Sequence, residues 1–117
     1  MAKKKSKKAR AKDEFARLMR NYADSPPALL EIATPLMENA AWMKATLEDL
    51  REETDMNGAT ESYVNGANQS GSKPSSSLNA YATMIKNYAT VMERLARMLT
   101  VSLGKSKLEQ FLGGGDE

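Results

Sequence analysis

The chain contains no cysteine and no histidine. The first absence excludes disulfides and thiolate metal sites. Together they exclude Cys/His and Ser/His/Asp catalysis. A metal could be held only as a hard ion on carboxylates. Long apolar runs are also missing: nothing approaches the ~20 residues of a membrane span. No apolar segment comes after the basic N-terminus, so no secretory signal is expected. These absences predict a soluble intracellular protein that is not an enzyme of the common nucleophilic classes.

Acids are missing from residues 1–12, which carry Lys3, Lys4, Lys5, Lys7, Lys8, Arg10 and Lys12. The remaining 105 residues hold 10 basic and 15 acidic side chains, so a basic arm precedes an acidic body. Seven like charges without an apolar anchor predict a disordered arm. Such an arm neutralises phosphates and releases counterions without regard to base sequence. It carries no aromatic residue, so base stacking is not indicated. The other reading of the arm is a solubilising tail. A membrane surface is disfavoured because no apolar face accompanies the charges.

Beyond the arm the pattern is helical. Phe15, Leu18, Met19 and Tyr22 share one stripe of a helix expected from an Asp13 cap to about Ala23, with Arg17 and Arg20 off the stripe. Ser25 and Pro26 restart the chain as N-cap and N1. Pro35 predicts a kink or a fresh start at Thr34. From there Leu36, Ala40, Met43, Leu47 and Leu50 make a heptad-like seam, with Trp42 at its edge. Glu48, Asp49, Glu52, Glu53 and Asp55 crowd the end of that helix, where acids oppose the dipole, so they should be solvated or matched to a basic partner. These carboxylates have the chemistry for a metal or acid–base role, but no spacing among them dictates one.

Gly58 reads as a helix stop. Residues 57–76 form a Gly/Asn/Ser-rich loop in which Asn65-Gly66 supplies turn chemistry and Tyr63-Val64 suits a very short strand. Asn65, Asn68 and Gln69 could bond bases, though such side chains more often bond their own backbone. One of Ser75, Ser76 and Ser77 caps the last helix. Its seam is Leu78, Tyr81, Ile85, Tyr88, Met92, Leu95 and Leu99, three heptads. A break is expected at Leu103-Gly104, followed by a flexible C-terminal segment over 104–117 in which Lys105 to Leu112 suits a weak helix of two turns and "GGGDE" is an acidic tail. "LGKS" at Leu103–Ser106 looks like the end of a phosphate loop, but the required earlier glycine would fall at Leu99 and no strand precedes it.

The fold expected is all-α: a long antiparallel helical hairpin with a short N-terminal helix over residues 13–103. Two helices bury little, so the seams require a third packing helix or self-association, for which symmetry favours a closed ring.

The segments "NAAWMKATLEDL" (Asn39–Leu50) and "YVNGANQSGSKPSSSLNAYATMIKNYATVMERLARML" (Tyr63–Leu99) resemble the short small-subunit terminase proteins of tailed phages and prophages from Gram-positive hosts. The resemblance spans roughly residues 36–99. The stretch "LTVSLGKSK" departs from the relatives' pattern by lacking a Pro and an Arg. The resemblance implies a non-enzymatic subunit, without cofactor, that forms a homo-oligomeric ring in the cytoplasm of an infected bacterium. It would bind double-stranded viral DNA and assist the ATPase–nuclease large subunit. The large subunit would dock on the C-terminal tail or near Glu52 and Glu53. Two other classes compete: a helical adaptor whose arm only solubilises, and a helix-turn-helix reader over residues 14–33. The second lacks Arg, Asn or Gln placed to read base edges after its turn.

Overall fold

The computed structural model describes residues 4–64, 66, 67 and 69–113, of which 102–113 are described by their backbone course alone. The order is α1 (Lys7–Arg20), α2 (Pro27–Asn57), β1 (Thr60–Val64), β2 (Ser70–Pro74) and α3 (Ser76–Gly113). The chain is mostly helical, but the all-α expectation needs one correction. Within the 57–76 loop, β1 and β2 form an antiparallel pair, in register from Thr60 opposite Pro74 to Val64 opposite Ser70. The short strand anticipated at Tyr63-Val64 is thus the end of a five-residue strand. Gly66 turns it with φ 84°, a conformation a Cβ would strain. Across the ladder, a Cβ at Gly71 would lie 3.2 Å from the Tyr63 hydroxyl, so glycine there leaves room for the ring.

The N-terminal boundary also differs. Residues 4–12 are not a disordered arm: α1 begins at Lys7, six residues before Asp13. Ser6 is the N-cap, its Oγ accepting from the Ala9 amide at 3.1 Å. The charge repulsion that argued for disorder is offset by acids that α2 brings alongside. The helix ends at Arg20, and its last-turn Arg17 and Arg20 suit the negative end of the dipole.

Helix α2 starts at Pro27, with Pro26 in the cap position, one residue later than expected, and runs unbroken through Pro35. Pro35 is exposed, so the carbonyl it leaves without a helical partner faces water, where the loss is small. Thr34 Oγ1 donates to the Leu30 carbonyl at 2.6 Å within the same turn. Gly58, φ 96°, ends the helix and donates to Thr54 O at 2.8 Å.

A knot of short hydroxyls fixes where α3 begins. Ser75 Oγ accepts from the Leu78 amide at 3.2 Å. The Ser77 hydroxyl lies 2.8 Å from Thr54 Oγ1 and 3.2 Å from Ser75 Oγ. Ser75 and Ser77 are buried, and each buried hydroxyl needs such a partner. From there α3 continues past Gly104 to Gly113. The break expected at Leu103-Gly104 does not occur, because one interior glycine costs only about 1 kcal/mol and good helix formers flank it. Residues 114–117 lie outside the described residues.

Helix α2 is the middle layer, with α1 and α3 both packed on it. Leu18, Tyr22, Ala33, Met37, Ala40 and Leu95 form the core cluster. Four of the buried α2 residues are Ala33, Ala40, Ala41 and Ala45. Small side chains let neighbouring helices approach closely, but they supply little apolar area. Tyr22 ties the three layers together: its hydroxyl donates to the Leu95 carbonyl of α3. Burial pushes that hydroxyl's pKa up.

Candidate nucleic-acid interface

The nine cations singled out by sequence divide sharply once α1 lies on α2. Arg10 is the most enclosed, with 16% of its side chain exposed. Its guanidinium donates to Glu48 at 2.7 Å, to Asp49 at 2.6 Å and to the Ala45 carbonyl at 3.2 Å, and its Nε donates to the Lys5 carbonyl at 3.0 Å. Lys4 reaches Asp49 at 3.1 Å and also Glu52. The acidic end of α2 therefore has its basic partner in the same chain. Lys5 pairs with Asp13 at 2.7 Å. Lys7 lies over the Trp42 ring, 4.2 Å from its centre, a cation–π contact. Arg17 grips Glu14 with two parallel bonds of 2.8 and 2.6 Å.

Lys8, Lys12 and Arg20 remain. All three are exposed, and none makes an ion pair among the described residues. Lys3 lies outside the described residues.

These contacts bias titration. Hydrogen bonds to Glu52 and Asp49 raise the Lys4 pKa. The Glu48 carboxylate, then Asp49, raises that of Arg10 against its desolvation. Burial works to raise Asp49, but Lys4 and Arg10 together outweigh it and hold the carboxyl below its ordinary range. Glu14 is 6% exposed. The Arg17 bonds, helped by Lys44 at 3.7 Å, keep it ionised and its pKa low despite desolvation. Sequence patterning passed over Glu14, Lys44 and Ser6. Glu14 and Arg17 at i and i+3 were the available signal.

A polar cleft of about 360 Å³ opens between α1 and α2, bounded by Arg10, Glu14, Arg17, Arg20 and Lys44. On the other side of α1 an open apolar groove of about 650 Å³ runs past Phe15, Met19, Tyr22 and Leu30, with Lys12 and Arg20 at its edge.

The two expected seams come together only in part. On α2, Leu47 and Ala40 are buried, while Leu36, Met43 and Leu50 are half-buried. The buried side is shifted toward Ala33, Met37, Ala41 and Ala45 because α2 serves two neighbours rather than one. Trp42 is 50% exposed, its ring covered on one side by Lys7. On α3, Leu95 alone of the seven seam residues is buried; Leu78, Tyr81, Ile85, Tyr88, Met92 and Leu99 are half-buried. Tyr81 accepts from Arg51 at 3.1 Å, linking α2 and α3 near the β-hairpin.

Leu103–Ser106 lies inside α3, with no strand leading into it. Asn65 and Asn68 lie outside the described residues. Among the described residues no group of three acids is arranged to hold a metal ion, and no helix is long and apolar enough to cross a membrane. Comparison with family models, with characterised proteins and with solved structures gives no match.

Proposed function

We propose that the chain is a non-enzymatic subunit that self-associates through its helical hairpin and binds double-stranded DNA. In biological terms this is a terminase small subunit, acting in the cytoplasm of an infected bacterium beside an ATPase–nuclease large subunit. The supporting observation is the α3 seam: a three-heptad apolar row of which one chain buries only Leu95. Half-covered Tyr81, Ile85, Tyr88, Met92 and Leu99 retain apolar area for a second copy. Burying such area is worth about 25 cal/mol per Å². Exposed Ile32, Met56, Val64 and Val101 add to the uncovered apolar surface. The sequence resemblance over residues 36–99 supplies the biological setting, and a closed ring satisfies repeated identical contacts.

A second reading has its own observation. Four of the arm and α1 cations, Lys4, Lys5, Arg10 and Arg17, are already paired with acids, which suits an adaptor with no DNA role.

Native mass by light scattering at micromolar concentration, together with duplex gel shift at two salt concentrations, separates the two. A defined multimer with salt-sensitive, sequence-tolerant binding is the expected result. A stable monomer would overturn the self-association, and absence of binding at low salt would leave the adaptor.

A further inference from the structure

We propose that the chain meets the DNA backbone through a row of three cations on the outer side of α1, Lys8, Lys12 and Arg20, while Lys4, Lys5, Arg10 and Arg17 serve the fold. This rests on the DNA-binding function proposed for the chain and narrows it from a whole basic arm to three exposed cations of one helix.

The row has regular geometry. Lys8 and Lys12 are one i,i+4 step apart, about 6 Å along the axis, and Arg20 lies two further steps on, about 12 Å. An i,i+4 row turns about 40° per step, so Arg20 stands about 120° around the axis from Lys8 and the row spirals along the exposed surface of the helix. The vacant step is Ala16, which is exposed and has no side chain long enough to hold a backbone off. The row thus offers three positive ends over about 18 Å. Asp13 is the acid next to Lys12, and Glu14, in the cleft that Arg20 borders, is already held by Arg17. The Lys5 ammonium at 2.7 Å holds the Asp13 carboxyl ionised and neutralised, so the row keeps its positive field.

The paired cations contribute differently. Nucleic-acid affinity at low salt comes from counterions released when a cation replaces them on phosphate. If Arg10 or Lys4 moved to a phosphate, Asp49, Glu48 or Glu52 would be left bare and would recruit a counterion of its own. The net release is close to zero. Arg10 would in addition surrender its bonds to the Ala45 and Lys5 carbonyls. Lys8, Lys12 and Arg20 have no ion pair to break among the described residues: Lys12 gives up only a charge attraction to Asp13, and Arg20 its place at the end of the helix dipole.

A duplex is favoured over an anionic membrane because the neighbouring apolar side chains Phe15 and Met19 pack against the core cluster. Half-buried, they line the open groove beside Lys12 and Arg20 as walls of a concavity rather than as side chains projecting from the surface, whereas stable binding to a membrane surface needs an apolar face inserted besides charge.

The test is fluorescence anisotropy of the full chain with a duplex of about 30 base pairs and arbitrary sequence, between about 50 and 300 mM salt. Three engaged cations give a slope of log K against log salt of about −3 per bound protomer, and all nine would give about −8. The triple variant Lys8→Gln, Lys12→Gln, Arg20→Gln should flatten the slope nearly to zero and weaken low-salt binding at least tenfold, with unchanged helicity and oligomer mass. Lys4→Gln should leave the slope within about 0.5 of wild type, and Arg10→Gln likewise wherever its circular dichroism remains native. A triple variant that keeps the wild-type slope, or a Lys4→Gln variant that lowers it by about 1, overturns the assignment while leaving DNA binding intact. Wild type that fails to bind at the lowest salt overturns the DNA reading itself, and so does binding to phosphatidylserine vesicles in place of duplex.

Discussion

Arg10 and Asp49 stand 39 residues apart in sequence and 2.6 Å apart in space, their contact shared with Glu48 at 2.7 Å. Through this pair the most basic segment of the chain closes the most acidic end of α2. Arg10 is well enclosed while the two acids remain about two-fifths exposed. The pair should therefore be worth more than a fully exposed one and less than a buried one. A double-mutant cycle on Arg10→Ala and Asp49→Ala, read by urea unfolding, should give a coupling of about 1 kcal/mol.

Acid should loosen the same joint. Asp49, Asp13 and Glu14 all have pKa values lowered in the fold, from ordinary values of 3.8, 3.8 and 4.5. Groups with depressed folded-state pKa contribute stability that is complete above the unfolded value and disappears as pH falls through the folded one. Lacking histidine and cysteine, the chain has no side chain of ordinary pKa between the carboxylates and tyrosine. The unfolding midpoint should be flat from about pH 6 to 9 and fall steadily below about pH 4.5. A fall beginning near pH ~6.5 would mean that some group other than these carboxylates controls the joint.

Trp42 is the single tryptophan, and Lys7 sits 4.2 Å over its ring. Its emission therefore reports whether the start of α1 is seated on α2. Lys7→Ala should change the Trp42 emission at neutral pH without shifting the helix content by more than about one turn. Arg10→Ala should produce a similar change, since it frees the turn that carries Lys7. Emission identical to wild type in both variants would place the N-terminal turn elsewhere.

The small-residue face of α2 should be intolerant in one direction. Ala40 is fully buried among Leu18, Tyr22, Met37 and Leu95, and a larger side chain there has to push neighbouring helices apart. Ala40→Leu should cost about 1–3 kcal/mol. Met37→Ala, emptying the largest fully buried side chain, should cost about 2–5 kcal/mol. Thermal denaturation of the two variants beside wild type checks both.

Much of this architecture was legible in the residues. The two long helices, the stop at Gly58, the turn at Gly66 and a serine cap before Leu78 all arise from local chemistry that tertiary contacts do not override. The helix start at Lys7 was not legible. The cations there argue against a helix unless Asp49, 39 residues from Arg10, is known to be adjacent. Pro35 misled for a similar reason. Its cost depends on whether the lost bond faces water or a neighbour, and a one-dimensional pattern does not say which. The α2 seam was displaced because alanine is a weak hydrophobic signal, yet Ala33, Ala41 and Ala45 are where the helices meet. For the candidate site, sequence supplied nine cations but no means of sorting Lys8, Lys12 and Arg20 from their paired neighbours. That sorting depends on which carboxylates come within reach.

The closure of Arg10 on Glu48 and Asp49 also has a consequence in time. A growing polypeptide emerges from its N-terminus first, at roughly 5–20 residues per second, so Arg10 is made about 2–8 seconds before Asp49, the carboxylate 39 residues on that will pair with it. During that interval the nascent segment is a bare polycation beside the ribosome, itself a polyanion. Completion of α2 then supplies Lys4 and Arg10 with carboxylates of their own chain.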